Sequence, residues 1–361
     1  MEMENGHAKY RVAVIGSGNW GSVASRLIAS NTAKLPSFYD EVRMWVFEEI
    51  LPTGRKLSES INEQNENCKY LPGIKLGTNV IADPDLESAV KDANMLVFVT
   101  PHQFVEGICK KLVGKLTPGA EAISLIKGME VKMEGPCMIS KLIADTLGIN
   151  CCVLMVQIAV EEFSEATIGY RKDKEVANRW AKLFTTPYFL VSVAEDIEGV
   201  ELCGTLKNIV AIAAGLVDGL DMGNNTKAAI MRIGLREMRA FSKLLFPSVR
   251  DNTFFESCGV ADLITTCRTY LHHCQLTIQQ MDTEKSFDEL EAEMLRGQKL
   301  QGVSTAREVY EVLTYRGWQE LFPLLSTVHE ICIGQLPPTS IVEYSEHTPN
   351  LSIIGGHTPF Y

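Results

Sequence analysis

The chain has 361 residues, of which 46% are hydrophobic and 22% are charged, and its formal net charge is −11. This composition is typical of a folded globular protein and excludes a disordered or low-complexity chain. The acidic balance excludes the broad basic surface that nucleic acids and anionic membranes require, so we expect neither as a partner; a local basic pocket for a small anion is compatible with it.

The sequence indicates a cytosolic protein. We find no apolar run that approaches the roughly 18 to 20 residues needed to span a bilayer. Residues 1–9 are polar and acidic, without the pattern of a secretory or transit peptide. The ten cysteines include no Cys-x-x-Cys pair, so we expect reduced, mostly buried thiols, no disulfides and no metal site.

Short apolar runs alternate with helix-like segments through the first half of the chain. An uninterrupted apolar run such as residues 95–99 is typical of a strand buried in a parallel sheet. Strands that alternate with helices predict an α/β fold with a doubly wound, Rossmann-type sheet. The predicted strands are residues 11–15, 42–47, 95–99, 122–126, 153–156 and 188–193.

After about residue 194 the apolar residues follow helical spacing only, which predicts an all-α second domain. No linker rich in Pro, Gly or Ser separates the two halves. We therefore expect one domain over residues 1–193, a second over 194–340 and a tail over 341–361. The predicted helices of the second domain are residues 196–219, 227–245, 287–295, 306–315 and 321–333.

A G-x-G-x-x-G string follows the first predicted strand and opens the first predicted helix. Glycines at this spacing permit a tight turn and a close approach of the backbone to a pyrophosphate, and the helix N-terminus offers N–H groups to the anion. The alternative is a glycine-rich turn without a ligand. The place between strand and helix favours a dinucleotide site formed by Gly16, Ser17, Gly18, Asn19, Trp20 and Gly21.

The second predicted strand ends in Phe47-Glu48-Glu49. An acidic side chain at this place can accept a hydrogen bond from the adenine ribose and repels a 2′-phosphate. The sequence therefore favours NAD over NADP as the cofactor. The distance from Gly21 is longer than the roughly 20 residues usual for the motif, and an insert over residues 31–39 accounts for the difference.

Three further side chains are candidates for contacts with a cofactor or substrate. Phe104 follows the strand at 95–99, where ligands bind in open sheets, and either contacts the cofactor or packs in the core. Lys127 follows the strand at 122–126 and either binds an anionic substrate or is an exposed turn residue. Lys207 lies on an apolar helical face, where it either snorkels to solvent or, with its pKa lowered by desolvation, exchanges a proton.

Together these motifs resemble the cytosolic NAD-dependent glycerol-3-phosphate dehydrogenases, and the style of the chain is similar to the plant branch. The resemblance runs over roughly residues 10–335 and keeps the motifs in order, which is far more specific than a glycine fingerprint alone. The matching stretches are residues 16–21, 44–47, 101–104, 124–128, 163–169, 206–208, 225–229, 256–263 and 297–302.

The resemblance implies reversible hydride transfer between NAD and C2 of sn-glycerol 3-phosphate or dihydroxyacetone phosphate, in a homodimer that needs no metal. Residues 1–193 would bind NAD and residues 194–340 the substrate. The implied catalytic residues are Lys207, which exchanges a proton with the C2 oxygen, and Asn208, Asp262 and Thr266, which position substrate and lysine. The implied substrate contacts are Lys127, Lys207, Asn208 and Arg268. The implied cofactor contacts are Gly16, Ser17, Gly18, Asn19, Trp20, Gly21, Phe47, Phe104, Ala159, Lys299 and Gln301.

Two segments depart from the family pattern. Before Phe163 the chain is several residues short, which leaves Ala159 as the stand-in for a cofactor-contacting alanine. After Cys267, residues 268–275 replace a glycine-rich turn whose Arg-Asn pair grips phosphate and cofactor in the family, which leaves Arg268 as the nearest cation. Two alternatives follow: a catalytically impaired NAD-binding member of the family, or a dehydrogenase for an unphosphorylated hydroxy acid.

Overall fold

The computed structural model of the protein describes residues 9–132, 135–156, 162–269 and 301–343. The chain divides into two compact units. The first unit comprises Met1–Lys127 and Met138–Ile197, and the second comprises Gly128–Cys137 and Glu198–Tyr361. The division differs from the predicted one in two places: the boundary near residue 194 lies after Ile197, and residues 128–137 belong to the second unit.

Ten strands lie in the described residues, and eight of them form one sheet. In chain order they are β1 (Tyr10–Ile15), β2 (Phe38–Trp45), β3 (Val80–Asp83), β4 (Met95–Phe98), β5 (Glu121–Ser124), β6 (Met129–Lys132), β7 (Gly135–Met138), β8 (Asn150–Met155), β9 (Ser164–Gly169) and β10 (Phe189–Ala194). The strand order of the large sheet is β10-β9-β8-β5-β4-β1-β2-β3, while β6 pairs with β7.

The large sheet is the Rossmann-type core predicted from the sequence. Its neighbouring strands run parallel except β8 and β9, which are antiparallel. All four residues of β4 are buried, as expected for a central strand covered on both faces. The pattern missed β3 and β9, because β3 is a short run that ends in the charged Asp83 and β9 begins with the polar Ser164 and Glu165.

Six helices lie in the described part of the first unit. They are α1 (Asn19–Thr32), α2 (Leu57–Gln64), α3 (Leu86–Val90), α4 (Val105–Leu112), α5 (Ile139–Leu147) and α6 (Lys174–Phe184). In α6, Val176, Trp180 and Leu183 recur at helical spacing and are buried in the core, which is the amphipathic pattern of a helix on a sheet. The carboxylate of Asp173 caps this helix by accepting the N–H of Glu175 at 2.9 Å.

The described residues of the second unit contain five helices. They are α7 (Ile197–Gly219), α8 (Asn224–Leu245), α9 (Asp262–Thr269), α10 (Gln301–Arg316) and α11 (Pro323–Cys332). The described residues after 197 contain no strand, as predicted; the predicted helix 287–295 lies outside the described residues. Helix α8 packs closely on α7, since a Cβ added to Gly234 would lie 2.6 Å from Cγ2 of Val210.

Helix α7 corrects one expectation from the sequence. By length and composition it could cross a membrane, although we expected no apolar run of that length. Its most apolar stretch is buried inside the protein, and it carries the buried charged residues Glu201 and Lys207. These features are those of the core helix of a folded domain.

The nine cysteines in the described part of the chain are reduced thiols. Burial raises the pKa of Cys109 and of Cys152 to about 12, so both stay protonated and unreactive near neutral pH. Within those same residues no group of three or more metal-ligating side chains could hold a metal ion.

Candidate active site

The turn between β1 and α1 has the geometry of a pyrophosphate-binding turn. Gly16 has a φ of +126°, and a Cβ there would lie 2.7 Å from the carbonyl oxygen of Val99. A Cβ on Gly21 would lie 2.9 Å from the carbonyl carbon of Gly16. In contrast, a Cβ on Gly18 would meet no atom within 4 Å. The first and third glycines are thus required by packing, and the second leaves the open space that an approaching phosphate needs.

The N-terminus of α1 favours an anion at this open space. Gly18 is the N-cap residue, no side chain caps the helix, and its first turn contains no acidic residue. The first N–H groups of a helix have no acceptor within the helix, and the helix dipole places partial positive charge there. Asn19 and Trp20 begin this turn. The six residues of the glycine string therefore fit the pyrophosphate of a dinucleotide such as NAD.

The acidic residues after β2 both have partners. Glu48 accepts hydrogen bonds from the backbone N–H and the hydroxyl of Ser58, at 3.1 Å and 2.5 Å. Glu49 accepts a hydrogen bond from the hydroxyl of Tyr70 at 2.6 Å and forms an ion pair with Lys69. The hydrogen bonds from Lys69 and Tyr70 lower the pKa of the Glu49 carboxyl. This end of the strand thus carries ionised carboxylates at neutral pH.

The other predicted contacts of the first unit lie at the same kind of strand end. Phe47 is 71% exposed and Phe104 is 57% exposed, so neither packs in the core, which was one of the two interpretations of Phe104. Phe104 closes a short 3₁₀ turn just beyond β4. Lys127 follows β5 and is half-buried. Ala159 and Lys299 lie outside the described residues, and Gln301 is the first residue of α10.

Lys207 and Asp262 form a buried ion pair in the second unit. Nζ of Lys207, on α7, contacts Oδ1 of Asp262, and the two side chains are 1% and 2% exposed. Lys207 therefore does not snorkel to solvent, which was one of the two interpretations of the sequence. A charge in such a place is costly unless it is paired. The carboxylate stabilises the ammonium form, which is the form that can donate a proton.

A π-helical turn, Ser257–Ala261, places Asp262 at the start of α9. Such turns occur frequently at functional sites. This one requires glycine at position 259, where a Cβ would lie 2.7 Å from Cα of Phe254. One helical turn further on, the hydroxyl of Thr266 donates to the carbonyl of Asp262 at 2.6 Å. The π-helical turn thus places Asp262 opposite Lys207, and the Thr266 bond is made to the main chain of the first turn of α9.

Asn208 is buried beside Lys207, and its amide donates to the Gly204 carbonyl at 3.3 Å. A Cβ on Gly302 would lie 2.8 Å from the carbonyl oxygen of Asn208, so the start of α10 packs directly on this part of α7. Arg268, by contrast, is exposed in the last turn of α9. The structure therefore brings Lys207, Asn208, Asp262 and Thr266 onto two adjoining helices and leaves Arg268 on the surface.

Sequence reasoning missed one group of residues at the glycine turn. Residues 67–70, an Asn-Cys-Lys-Tyr stretch, contact both the turn and Glu49. They lie in irregular structure between α2 and β3, where no periodicity reveals which side chains are buried. The Tyr-Leu-Pro-Gly string that follows marks a turn, but nothing in it shows a link to the glycine motif.

Two family models match most of the chain. Residues 11–175 match the NAD-dependent glycerol-3-phosphate dehydrogenase N-terminus, and residues 196–343 match the C-terminus of the same family. These matches cover the glycine turn in one model and the Lys207–Asp262 pair in the other. They identify an N-terminal NAD-binding domain followed by the family's helical domain.

Individual relatives agree with the family models. Glycerol-3-phosphate dehydrogenase [NAD(+)] of Cuphea lanceolata is 74% identical over 342 residues, which are 93% of this chain and 92% of the relative. A chloroplastic enzyme of the same name from Arabidopsis thaliana is 70% identical over 95% of this chain and 87% of the relative. A solved structure of Plasmodium falciparum glycerol-3-phosphate dehydrogenase superposes with a TM-score of 0.88 at 36% identity, over 95% of this chain and 97% of that one.

These matches show the family and so decide between the alternative interpretations of the sequence. Both plant relatives support the plant-like branch, and neither the impaired NAD-binding protein nor the hydroxy-acid dehydrogenase finds support among the comparisons. The cofactor is NAD, because the family that residues 11–175 match is NAD-dependent. The chain belongs to the NAD-dependent glycerol-3-phosphate dehydrogenases, oxidoreductases with a Rossmann-type domain followed by a helical domain.

Proposed function

We propose that this chain interconverts sn-glycerol 3-phosphate and dihydroxyacetone phosphate with Lys207 as the group that exchanges a proton with the C2 oxygen. The buried ion pair of Lys207 with Asp262 carries this assignment. Reduction of a ketone needs a hydride at carbon and a proton at the developing alkoxide. An ammonium group held away from bulk water can stabilise that negative charge and then supply the proton.

In the direction of reduction, NADH supplies the hydride to C2 when it is bound. The C2 carbonyl π bond breaks, its electron pair goes to oxygen, and Nζ of Lys207 gives that oxygen a proton. Lys207 is left as a neutral amine, which regains a proton from solvent before the next turnover. Asp262 holds the ammonium in place, Thr266 hydrogen-bonds the main chain of Asp262, and Asn208 orients the substrate from the adjacent position on α7. The reverse reaction uses the same groups in the opposite sense.

The other proposed roles come from the resemblance to the family, and the exposure and strand-end positions of several of these residues support them. Residues 16–21 hold the pyrophosphate of NAD, and the exposed rings of Phe47 and Phe104 border the cofactor. Lys127, at the end of β5, binds the phosphate of the substrate through its positive charge. Arg268 is a second candidate for that phosphate, and Ala159, Lys299 and Gln301 are proposed cofactor contacts on the resemblance alone.

The reaction is tested on purified protein by following NADH absorbance with dihydroxyacetone phosphate as substrate. Unphosphorylated dihydroxyacetone and a 2-keto acid serve as the comparison substrates. We expect kcat/KM to be highest with the phosphorylated ketone, because its dianion adds binding energy that positions C2. A preference for either unphosphorylated compound would overturn the proposal.

We further propose that the protein is a cytosolic homodimer linking glycolysis to glycerolipid precursors. The reduced thiols of the described cysteines fit a reducing compartment, and the resemblance implies the dimer. A tag at the C-terminus and imaging beside a plastid marker test the compartment, which matters because the Arabidopsis relative is named as chloroplastic. Light scattering coupled to size-exclusion chromatography tests the dimer, which has twice the 40.0 kDa chain mass. Plastid fluorescence or a mass of one chain would overturn these two proposals respectively.

A further inference from the structure

Asn67 is a fully buried polar residue whose side chain hydrogen-bonds to the glycine turn. Its side-chain amide nitrogen donates to the carbonyl oxygen of Ser17 at 2.8 Å and to the hydroxyl of Ser22 at 2.9 Å. Its amide oxygen accepts the backbone N–H of Tyr70 at 3.2 Å. Both donor hydrogens and the acceptor of this side chain are therefore used. Leaving any of these groups unpaired in a buried place is costly.

The bond to Ser17 fixes the direction of a backbone donor. In a planar trans peptide the C=O and the following N–H point in opposite directions. Because Asn67 holds the Ser17 carbonyl, it also sets the direction of the Gly18 N–H. The bond to Ser22 fixes the first turn of α1, in which Ser22 also donates its N–H to the Gly18 carbonyl at 2.9 Å. One side chain thus ties the turn to the helix that follows it.

The same short stretch of chain reaches a second point of the cofactor-binding edge. The side-chain amide of Asn19 donates to the Tyr70 carbonyl at 2.8 Å, while the Tyr70 hydroxyl donates to Glu49 at 2.6 Å. Lys69 pairs with that carboxylate as well. Residues 67–70 therefore connect the glycine turn with the carboxylate that follows β2, the two places where the sequence predicts pyrophosphate and ribose contacts.

We propose that Asn67 is a positioning residue for NAD binding: it holds the Gly18 N–H and the first turn of α1 in the orientation that receives the pyrophosphate. This inference rests on the proposed function, in which residues 16–21 bind that group. Donors fixed before binding cost no reordering when the anion arrives, which is how a supporting shell of residues raises affinity. Asn67 itself touches neither cofactor nor substrate.

The test replaces Asn67 with leucine, which has nearly the same shape and no polar atoms. We expect the Kd of NADH to rise by about tenfold or more, the size of effect that follows from one weakened bond to a charged group. At saturating NADH, kcat and the KM for dihydroxyacetone phosphate should change by less than about twofold, since Lys207 and its partners are untouched. Asn67→Ser, which keeps one donor and is smaller, gives an intermediate Kd and serves as the second variant if the leucine variant does not fold.

A matched control comes from Asn31, another buried asparagine of the same unit. Its side-chain amide donates to the carbonyl oxygens of Leu183 and Thr185 at 2.8 Å and 3.0 Å, away from the turn. Asn31→Leu should lower the melting temperature as Asn67→Leu does, but leave the Kd of NADH within about twofold of wild type. Equal Kd increases in both variants would show general loosening of the unit and overturn the proposal.

Fragments of the cofactor separate a positioning role from a structural one. ADP retains a pyrophosphate and adenosine has none. Asn67→Leu should therefore raise the Kd of ADP by the same factor as the Kd of NADH, and leave the Kd of adenosine within about twofold of wild type. Equal losses of affinity for ADP and for adenosine, or an unchanged Kd for NADH, would overturn the proposed role of Asn67. A wild-type protein that neither binds NADH nor reduces dihydroxyacetone phosphate would instead refute the proposed function.

Discussion

Lys207 and Asp262 face each other across α7 and α9 with almost no solvent around either side chain. Each charge depends on the other, because a single buried charge without a partner is strongly destabilising. The proposed catalysis and the stability of the second unit therefore depend on the same pair, and a variant that removes the lysine also leaves a carboxylate unpaired. Experiments on Lys207 need to separate the two effects.

Lys207→Met should lower kcat by at least about 10² to 10³, because the proton donor and the stabilising charge are lost together. NADH affinity should stay within a few-fold of wild type. Urea unfolding should show a stability loss of about 3 to 5 kcal/mol, caused by the unpaired Asp262. The double variant Lys207→Met/Asp262→Leu should recover most of that stability without recovering turnover. Nearly intact turnover in the single variant would show that Lys207 is structural.

The glycine turn offers a matched pair of substitutions. Gly18→Val adds a side chain in open space, at a residue with an ordinary φ of −63°, so the melting temperature should be unchanged. The variant should bind NADH at least about tenfold more weakly, because the added side chain occupies the place of the phosphate. Gly21→Val should instead destabilise the first unit, because its Cβ runs into the Gly16 peptide. Titration by NADH fluorescence, beside thermal unfolding, distinguishes the two. Tight NADH binding by Gly18→Val would place the cofactor elsewhere.

Wild-type protein should bind NADH at least about tenfold more tightly than NADPH, because carboxylates after β2 repel the 2′-phosphate. The double variant Glu48→Gln/Glu49→Gln should lower the ratio of the NADPH Kd to the NADH Kd, mostly through tighter NADPH binding. Fluorescence titration with both reduced cofactors gives the ratio directly. A ratio that the substitutions leave unchanged would assign the selectivity to other residues.

The stability of the second unit should fall as the solution becomes acidic, and His329 supplies one reason. Its ring stacks on Tyr310 with centroids 4.2 Å apart, and burial lowers its pKa below the usual 6.5. The unfolded chain thus takes up a proton at a higher pH than the folded chain. The stabilisation is complete above pH 6.5 and is lost as the pH falls from there through the lowered folded-state pKa.

Urea unfolding at several pH values checks the role of this histidine. His329→Phe keeps a ring to stack on Tyr310 and removes the titrating group, so its stability should depend less on pH below 6.5 than that of wild type. Identical pH profiles for the two proteins would assign the acid sensitivity to other groups.

The altered segment over residues 268–275 should limit the rate with the phosphorylated substrate. An arginine grips a phosphate through two charge-assisted hydrogen bonds, and Arg268 is exposed at the end of α9. Replacing residues 268–275 by the family's glycine-rich turn with its Arg-Asn pair should raise kcat/KM for dihydroxyacetone phosphate by about 10². An Arg-to-Gln version of the same graft is the control. An unchanged kcat/KM would show that other residues hold the phosphate.

Particular residues show where sequence reasoning succeeds and where it stops. Strands such as β4 and the helices α7 and α8 have long periodic or uniformly apolar patterns, so their type was predicted well. The glycine turn was predictable because its function requires a fixed spacing. The small sheet of β6 and β7 was missed, since four-residue strands that contain charged residues or Gly and Pro carry little pattern, and its place in the second unit depends on contacts distant in sequence.

The site was harder to predict than the fold, because partners are set by three-dimensional packing. The spacing around Lys207 allowed either a solvent-reaching or a buried lysine, and only the contact with Asp262, distant in sequence, decides between them. Asn67 shows the same limit. A single asparagine in irregular structure looks like a surface residue until the three groups that it bonds are known.

The close packing of Gly302 on the Asn208 carbonyl makes position 302 sensitive to substitution. Helix α9 supplies the partner of Lys207, and α10 begins against the main chain of the very next residue of α7. A side chain at position 302 would therefore push α10 away from α7 beside the buried ion pair. The shape of the main chain around Lys207 thus restricts residue 302 to glycine, although that residue takes no part in the proposed chemistry.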